Sequence, residues 1–411
     1  MAKKKSSKRK TKNNVAIPVV IVVLVVIVIG VLVALYFTNA AGFRTTFNKF
    51  LKDVINIQIE LNANEESNSG SQNQSGSNEG NKTDTPSVVG NGEFSIHFLE
   101  LGNYYTGDSV LLDCGNVEVL IDAGSRQGSA ATIKSYVDQY CEDGILEYVI
   151  ATHAHQDHIA GFVGTKAAPG IFKAYECKTI IDFAMTNATS TVYKNYVAER
   201  DAEVEAGATH YTAAQCIKGE DGAKSVYQLG EGITMTILDN YYYYNKSSDE
   251  NNYSVCVLIT NGDQHYLFTG DLEKSGEEKL VELNDLPRCE LFKGGHHGSY
   301  TASNDVLLGV IRPDVVCICC CAGSPEYSSD PNHMFPAVEA LERMVKYTTN
   351  IYATTLYTGD YEDDNSYTSF NGNIVVTFSD GKVNVNGSNN STPLPMTEWC
   401  KVNRPTVYKG S

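Results

Sequence analysis

After its first twelve residues this sequence has no surplus of positive charge. Residues 1–12 carry seven Lys or Arg and no acid, so a formal charge of −17 over 411 residues becomes −24 for everything that follows. An acidic body is a poor electrostatic match for gripping long nucleic acid. The sequence also lacks a second cysteine pair at finger-like spacing, which argues against a cysteine metal site. Its 11 Cys are odd in number and bunched at Cys317, Cys319, Cys320 and Cys321, unlike a regular disulfide framework. Inside a Val/Ile-rich strand they read as small buried hydrophobes. No long internal repeat is evident. What is present, 42% apolar residues with 25 Tyr and 14 Phe, excludes wholesale disorder. The length allows one large core or two modest ones.

The chain divides by texture. Residues 1–14 form a basic tail, and residues 15–37 are uncharged and dominated by Val, Ile and Leu. At about 1.5 Å per residue that run covers the roughly 30 Å hydrocarbon core of a bilayer. The basic cluster before it predicts a cytoplasmic N-terminus and an extracellular remainder, hence a single-pass cell-membrane protein. A cleaved signal peptide is the competing reading, since Thr38-Asn39-Ala40 resembles a cleavage site, but its apolar region would normally be only about 7–15 residues. Residues 38–60 show helical spacing at Phe43, Phe47, Phe50, Leu51, Val54 and Ile55. They either extend the anchor as a juxtamembrane helix or mediate self-association through residues 43–59. Residues 61–92 are rich in Asn, Ser and Gly and read as a flexible tether. From residue 93, short β runs alternate with helical stretches to about residue 386, which predicts a layered α/β domain. Residues 387–411 read as a loose tail.

The strongest local signal is Thr152-His153-Ala154-His155-Gln156-Asp157-His158, directly after an apolar strand. Imidazole and carboxylate are the usual non-thiolate ligands of zinc, and His153, His155, Asp157 and His158 supply four within six residues. With only nine His in the chain, a chance His-rich loop is a poor explanation. Three other places offer matching parts. Leu120-Ile121-Asp122-Ala123-Gly124 ends a strand in a carboxylate and a Gly turn, and Leu267-Phe268-Thr269-Gly270-Asp271 repeats the pattern. Lys293-Gly294-Gly295-His296-His297-Gly298 sets paired His in a Gly-rich loop. An Asp at a strand end is often only a cap. All four segments in this order are far more specific than any one.

These motifs resemble the metallo-β-lactamase superfamily of dinuclear metallohydrolases over about residues 93–386. Two branches are similar: the extracellular hydrolase domain of ComEC-type competence proteins, through GDSVLL, VLIDAG, NNYSVCVLIT, TGDLEKSGEEKL and HHGSYTASNDVL, and the phosphorylcholine esterases of teichoic acid. The resemblance implies a four-layer αββα sandwich holding two divalent ions, most readily Zn2+. It implies His153 and His155 on the first ion, Asp157 and His158 on the second, and Asp271 between them, with one of His296 and His297 as a ligand. The other imidazole would stabilise an oxyanion or protonate the leaving group, and Asp122 would orient a ligand. One departure stands out. The superfamily has a further His before the bridging Asp, where this chain offers only His210 and His265, both read as surface residues. Asn252 or Ser254, or a water, would then take that place.

Lys293 reads either as a phosphate contact or as a solvated lysine, and His333 either as a substrate contact or as helix-start packing. The implied reaction is hydrolysis of a phosphodiester, nucleic acid or a cell-wall polymer, by a hydroxide that bridges the ions. Alternatives are another ester or amide substrate and, outside enzymes, a surface binding protein with a degenerate site. A β-lactam is disfavoured because Asp271 stands where zinc β-lactamases commonly carry Cys. ComEC proteins have many membrane helices and this chain has one apolar run, so a DNA channel is not implied.

Overall fold

The computed structural model describes residues 94–359, 366–379 and 382–410. The basic tail, the apolar run at 15–37, the helical stretch at 38–60 and the tether at 61–92 lie outside the described residues. Among those described, no helix is long and apolar enough to cross a membrane.

Two eight-stranded sheets carry the domain. The first contains β1 (Ser95–Phe98), β2 (Val110–Asp113), β3 (Glu118–Ile121), β4 (Ile145–Ile150), β5 (Glu176–Asp182) and β6 (Thr209–Thr212). The second contains β7 (Val226–Gly230), β8 (Ile233–Ile237), β9 (Val257–Asn261), β10 (Gln264–Phe268), β11 (Leu291–Lys293), β12 (Val315–Ala322), β13 (Ile351–Tyr357) and β14 (Tyr367–Ser369). The chain then returns to the first sheet as β15 (Ile374–Ser379) and β16 (Lys382–Gly387), giving the orders β16-β15-β1-β2-β3-β4-β5-β6 and β14-β13-β12-β11-β10-β9-β8-β7.

The two sheets repeat one plan. Antiparallel pairing leads into β3, and β3 to β6 run parallel. Antiparallel pairing likewise leads into β10, and β10 to β13 run parallel. Asp122 therefore follows β3 as Asp271 follows β10, and His153 follows β4 as His296 and His297 follow β11. All lie past the carboxyl ends of parallel strands, where open α/β sheets place their ligand sites.

Period-two burial shows the layers. On β12, Val315, Cys317 and Cys319 join the core between the sheets, while Val316, Ile318 and Cys320 join the core beneath the outer helices. A strand buried on both faces reads as an unbroken apolar run, which accounts for VVCICCCA. All 11 Cys are free and buried, so they pack as small hydrophobes. Helices Ser129–Val137, Gln156–Val163 and Thr191–Ala206 cover the first sheet; Lys274–Leu283, Asp305–Ile311 and Val338–Met344 cover the second.

The expected C-terminal tail is corrected. Residues 388–410 close onto the second sheet: Leu394, Cys400 and Val407 are fully buried. Arg404 donates to the carbonyls of Pro336 and Met334 at 3.0 and 2.9 Å. The polar run at 387–392 conceals this packing, because its Asn side chains serve backbone groups; Asn390 donates to the Phe370 carbonyl.

Candidate metal centre

Three backbone constraints assemble the site. Asp122 adopts a left-handed φ of 60°, turning its carboxylate back towards β4. Thr152 donates to it from its backbone N–H and from its hydroxyl, both at 2.7 Å. A Cβ on Gly124 would sit 1.5 Å from the Asp157 carbonyl oxygen, so only glycine lets the two loops meet. Gly270 has φ +53°, and a Cβ there would meet Ser254 and Thr152 under 3.0 Å.

Imidazoles converge on one carboxylate. Around Asp271 Oδ2 lie His158 Nε2 at 3.0 Å, His297 Nε2 at 3.3 Å, and His153 and His296 Nε2 at 3.8 Å. His158 and His297 approach to 3.2 Å, and His297 Nε2 is 3.5 Å from Asp157 Oδ2. His153 Nε2 is 3.0 Å from His155 Nδ1, so these two share a side as their spacing predicts, although His153 is buried and His155 exposed. The paired histidines part company: His297 is buried in the cluster, whereas His296 stands at its rim, with Nδ1 3.5 Å from Glu273 and 3.2 Å from Thr301.

The far side of each ring is held. Asp122 accepts from His158 Nδ1 at 2.7 Å, and His297 Nδ1 lies 3.0 Å from the Cys319 carbonyl and 3.1 Å from Asp108 Oδ1. These acceptors call for a proton on each Nδ1 and leave Nε2 facing Asp271. Burial alone would push His158 and His297 down. The carboxylates of Asp271 and Asp122, and of Asp271 and Asp108, instead hold them well above the usual imidazole range. Burial would raise Asp271, but His158, His297 and His296 keep it well below the carboxylate range.

The residues fit divalent cations. Asp108, Asp122, Asp157 and Asp271 are all buried against one buried lysine, Lys293. With neutral imidazoles, as ligation requires, that sums to −3, and two divalent ions would make it +1. Asp108, His158, Asp271 and His297 bring one ligand atom each within 4.8 Å of one another. Asp271 Oδ1 is buried without a hydrogen-bond partner, an expensive state for a carboxylate oxygen that faces no cation.

Lys293 is corrected on both of its readings. It is 2% exposed and paired with Asp108, so it neither contacts a substrate nor is solvated. Asp108 itself was missed; its signal is Gly107-Asp108-Ser109 before a strand, the same small-residue carboxylate turn found at Asp122 and Asp271. Asn252 is buried with its amide donating to Ser247 at 3.3 Å. Ser254 Oγ lies 3.5 Å from His153 Nδ1 and accepts from the Asp271 N–H at 3.0 Å, on the His153 side of the cluster. His210 lies 2.8 Å from Asp182 at the far end of the first sheet, and His265 is half-buried at the start of β10, opposite the end that carries Asp271. His333 is half-exposed and stacks on Tyr300 at 4.4 Å. Tyr327, another residue missed, donates to Asp157 Oδ2 at 2.8 Å from the segment after β12.

Residues 102–188 match the model of the metallo-beta-lactamase superfamily. Recombination protein 2 of Haemophilus influenzae is 27% identical over 265 residues, 64% of this chain and 28% of that protein. ComE operon protein 3 of Bacillus subtilis is 24% identical over 177 residues, 42% of this chain and 20% of that protein. The chain thus spans less than a third of these relatives' length. Among solved structures, the metallo-beta-lactamase fold protein YhfI from Bacillus subtilis aligns at 13% identity over 66% of this chain and 98% of that one, with a TM-score of 0.34. The family match over residues 102–188 and the competence relatives support a ComEC-like protein similar to the metallo-β-lactamase superfamily.

Proposed function

We propose that this ComEC-like domain is a divalent-metal-dependent hydrolase of phosphodiesters, with zinc as the metal. The observation that supports it is the convergence of four imidazole nitrogens on the buried Asp271 carboxylate. His153 and His155 would hold one ion, Asp157, His158 and His297 the other, and Asp271 both, a donor set of imidazole and carboxylate suited to zinc. When bound, such a pair supplies Lewis acidity and a water of lowered pKa. The chain's own residues do the rest. Asp122 and Asp108 fix the rings of His158 and His297. His296, at the rim and braced by Glu273 and Thr301, is placed to give a proton from Nε2 to the leaving oxygen. Two divalent ions would lift the cluster from −3 to +1 before the bound water loses its proton, which makes an anionic phosphodiester the substrate class to test first.

The relatives' names, Recombination protein 2 and ComE operon protein 3, make a nucleic-acid strand the first substrate to try. The acidic body favours a short or cell-wall phosphodiester as the second. The apolar run at 15–37 would anchor the chain in the cell membrane, with this domain outside. The test is the full-length chain in detergent, assayed for bound metal by elemental analysis and for turnover of bis-p-nitrophenyl phosphate. Near two zinc per chain with chelator-sensitive turnover, lost in a folded Asp271→Ala chain, is the expected result. Two metals without turnover would point to another ester or amide, and one or none to a binding protein with a degenerate site.

A further inference from the structure

We propose that Tyr327 is a catalytic residue of this centre, its hydroxyl donating to a phosphoryl oxygen of the substrate beside Asp157; the inference rests on the phosphodiesterase reading above. The segment from Gly323 to Ala337, between β12 and helix Val338–Met344, runs along the mouth of the cluster. Glu326 seats it. One carboxylate oxygen takes the Arg126 guanidinium at 2.7 Å and the other accepts from the Thr106 N–H at 2.8 Å. Arg126 in turn lies over the Tyr105 ring at 3.9 Å. The segment is thereby tied to the two turns that supply Asp108 and Asp122. Phe335 packs its ring 5.7 Å from His296 and 5.9 Å from His297, and Tyr327 stacks on Phe335 at 5.4 Å.

Tyr327 is 51% exposed, yet its hydroxyl reaches inward to donate to Asp157 Oδ2 at 2.8 Å. That oxygen is the one facing the cluster, 3.5 Å from His297 Nε2. A phenol used only to hold the segment would duplicate Glu326 and Phe335, which already fix both its ends. What Tyr327 adds is a neutral O–H between solvent and the Asp157 side of the cluster, which a metal taken up by Asp157 Oδ2 would free to donate to the substrate. Charge grows there on the non-bridging phosphoryl oxygens during transfer. A fixed donor at a developing charge stabilises the transition state more than the bound ground state.

The experiment compares the full-length parent, Tyr327→Phe and Glu326→Gln, each loaded with zinc. It measures zinc content, kcat and KM on bis-p-nitrophenyl phosphate, and inorganic phosphate affinity by calorimetry. For Tyr327→Phe we expect unchanged zinc, KM within about twofold, kcat lower by about 10–100-fold and phosphate bound about 5–10-fold more weakly. Glu326→Gln, which loosens the segment but keeps the phenol, should move kcat less than Tyr327→Phe. Parent-like kcat and phosphate affinity in Tyr327→Phe would overturn the proposal. So would zinc loss, which would make Tyr327 only a support for Asp157. Phosphate binding that depends on Tyr327, in a chain that turns over no phosphodiester, would uphold the donor and remove the phosphodiesterase reading. A parent that neither turns over nor binds phosphate overturns both.

Discussion

Asp122 accepts the Nδ1–H of His158 at 2.7 Å and thereby sets which nitrogen of that ring faces Asp271. Its other contacts, the Thr152 N–H and hydroxyl, lock the carboxylate in place. In Asp122→Asn an amide group must face one of these donors, so the ring loses its fixed orientation. Metal affinity should fall by about 10–100-fold, the usual cost of losing such an outer partner. Competition with a graded series of chelators measures it. Parent-like affinity in a folded variant would show that Asp122 only caps its strand.

Lys293 and Asp108 form an ion pair sealed from solvent beneath His297. Removing one partner strands the other charge, so Lys293→Met should cost about 3–5 kcal/mol of stability. Denaturant unfolding reports it. Were Lys293 instead a substrate contact, the same change would raise KM and leave the unfolding midpoint in place.

The site was more legible in the sequence than the fold around it. His153, His158 and Asp271 announce themselves because metal chemistry admits few residue types, and their spacing follows from strands that end together. Asp108 and Tyr327 carry no such signature: one is an ordinary Gly-Asp turn, the other a tyrosine among 25. The choice between His296 and His297 was equally hidden. Both lie in left-handed backbone, at φ 46° and 53°, and their partners separate the buried ring, held by the Cys319 carbonyl and Asp108, from the rim ring beside Glu273 and Thr301. Helix Thr191–Ala206 went unread because only Tyr196 of its 16 residues is buried, leaving no apolar stripe to find. Strands Glu176–Asp182 and Ile351–Tyr357 were missed for another reason, since Thr, Lys and Tyr interrupt their apolar runs.

Away from the site, Glu118 and Glu147 meet between β3 and β4, both buried. Burial, then the Glu147 charge, raises the Glu118 carboxyl to about 9. An unfolded glutamate titrates near 4.5, so between these values the native chain holds a proton that the unfolded chain has released. Stability must therefore fall as pH rises through that window. Glutamine can donate to Glu147 as protonated Glu118 does. Glu118→Gln should leave stability near pH 5 unchanged and exceed the parent at pH 9 by roughly 1–2 kcal/mol, after discounting for partial solvent screening. Thermal melts across pH decide it, and parallel profiles for the two chains would refute the shared proton.

The cysteines give a test that needs no variant. All 11 are free and buried, and burial pushes the thiols of Cys317 and Cys320 well above their usual range. Thiolate is the reactive form, so neither exposure nor ionisation favours attack. An aromatic disulfide reagent should find no fast-reacting thiol in the native chain and 11 after denaturation without reductant. Fewer than 11 would reveal disulfides formed by moving strands that the core holds fixed. A fast class in the native chain that maps to Cys317, Cys319, Cys320 or Cys321 would mean that β12 opens to solvent, and since its Cys319 carbonyl braces His297, metal affinity should then fall along with that opening.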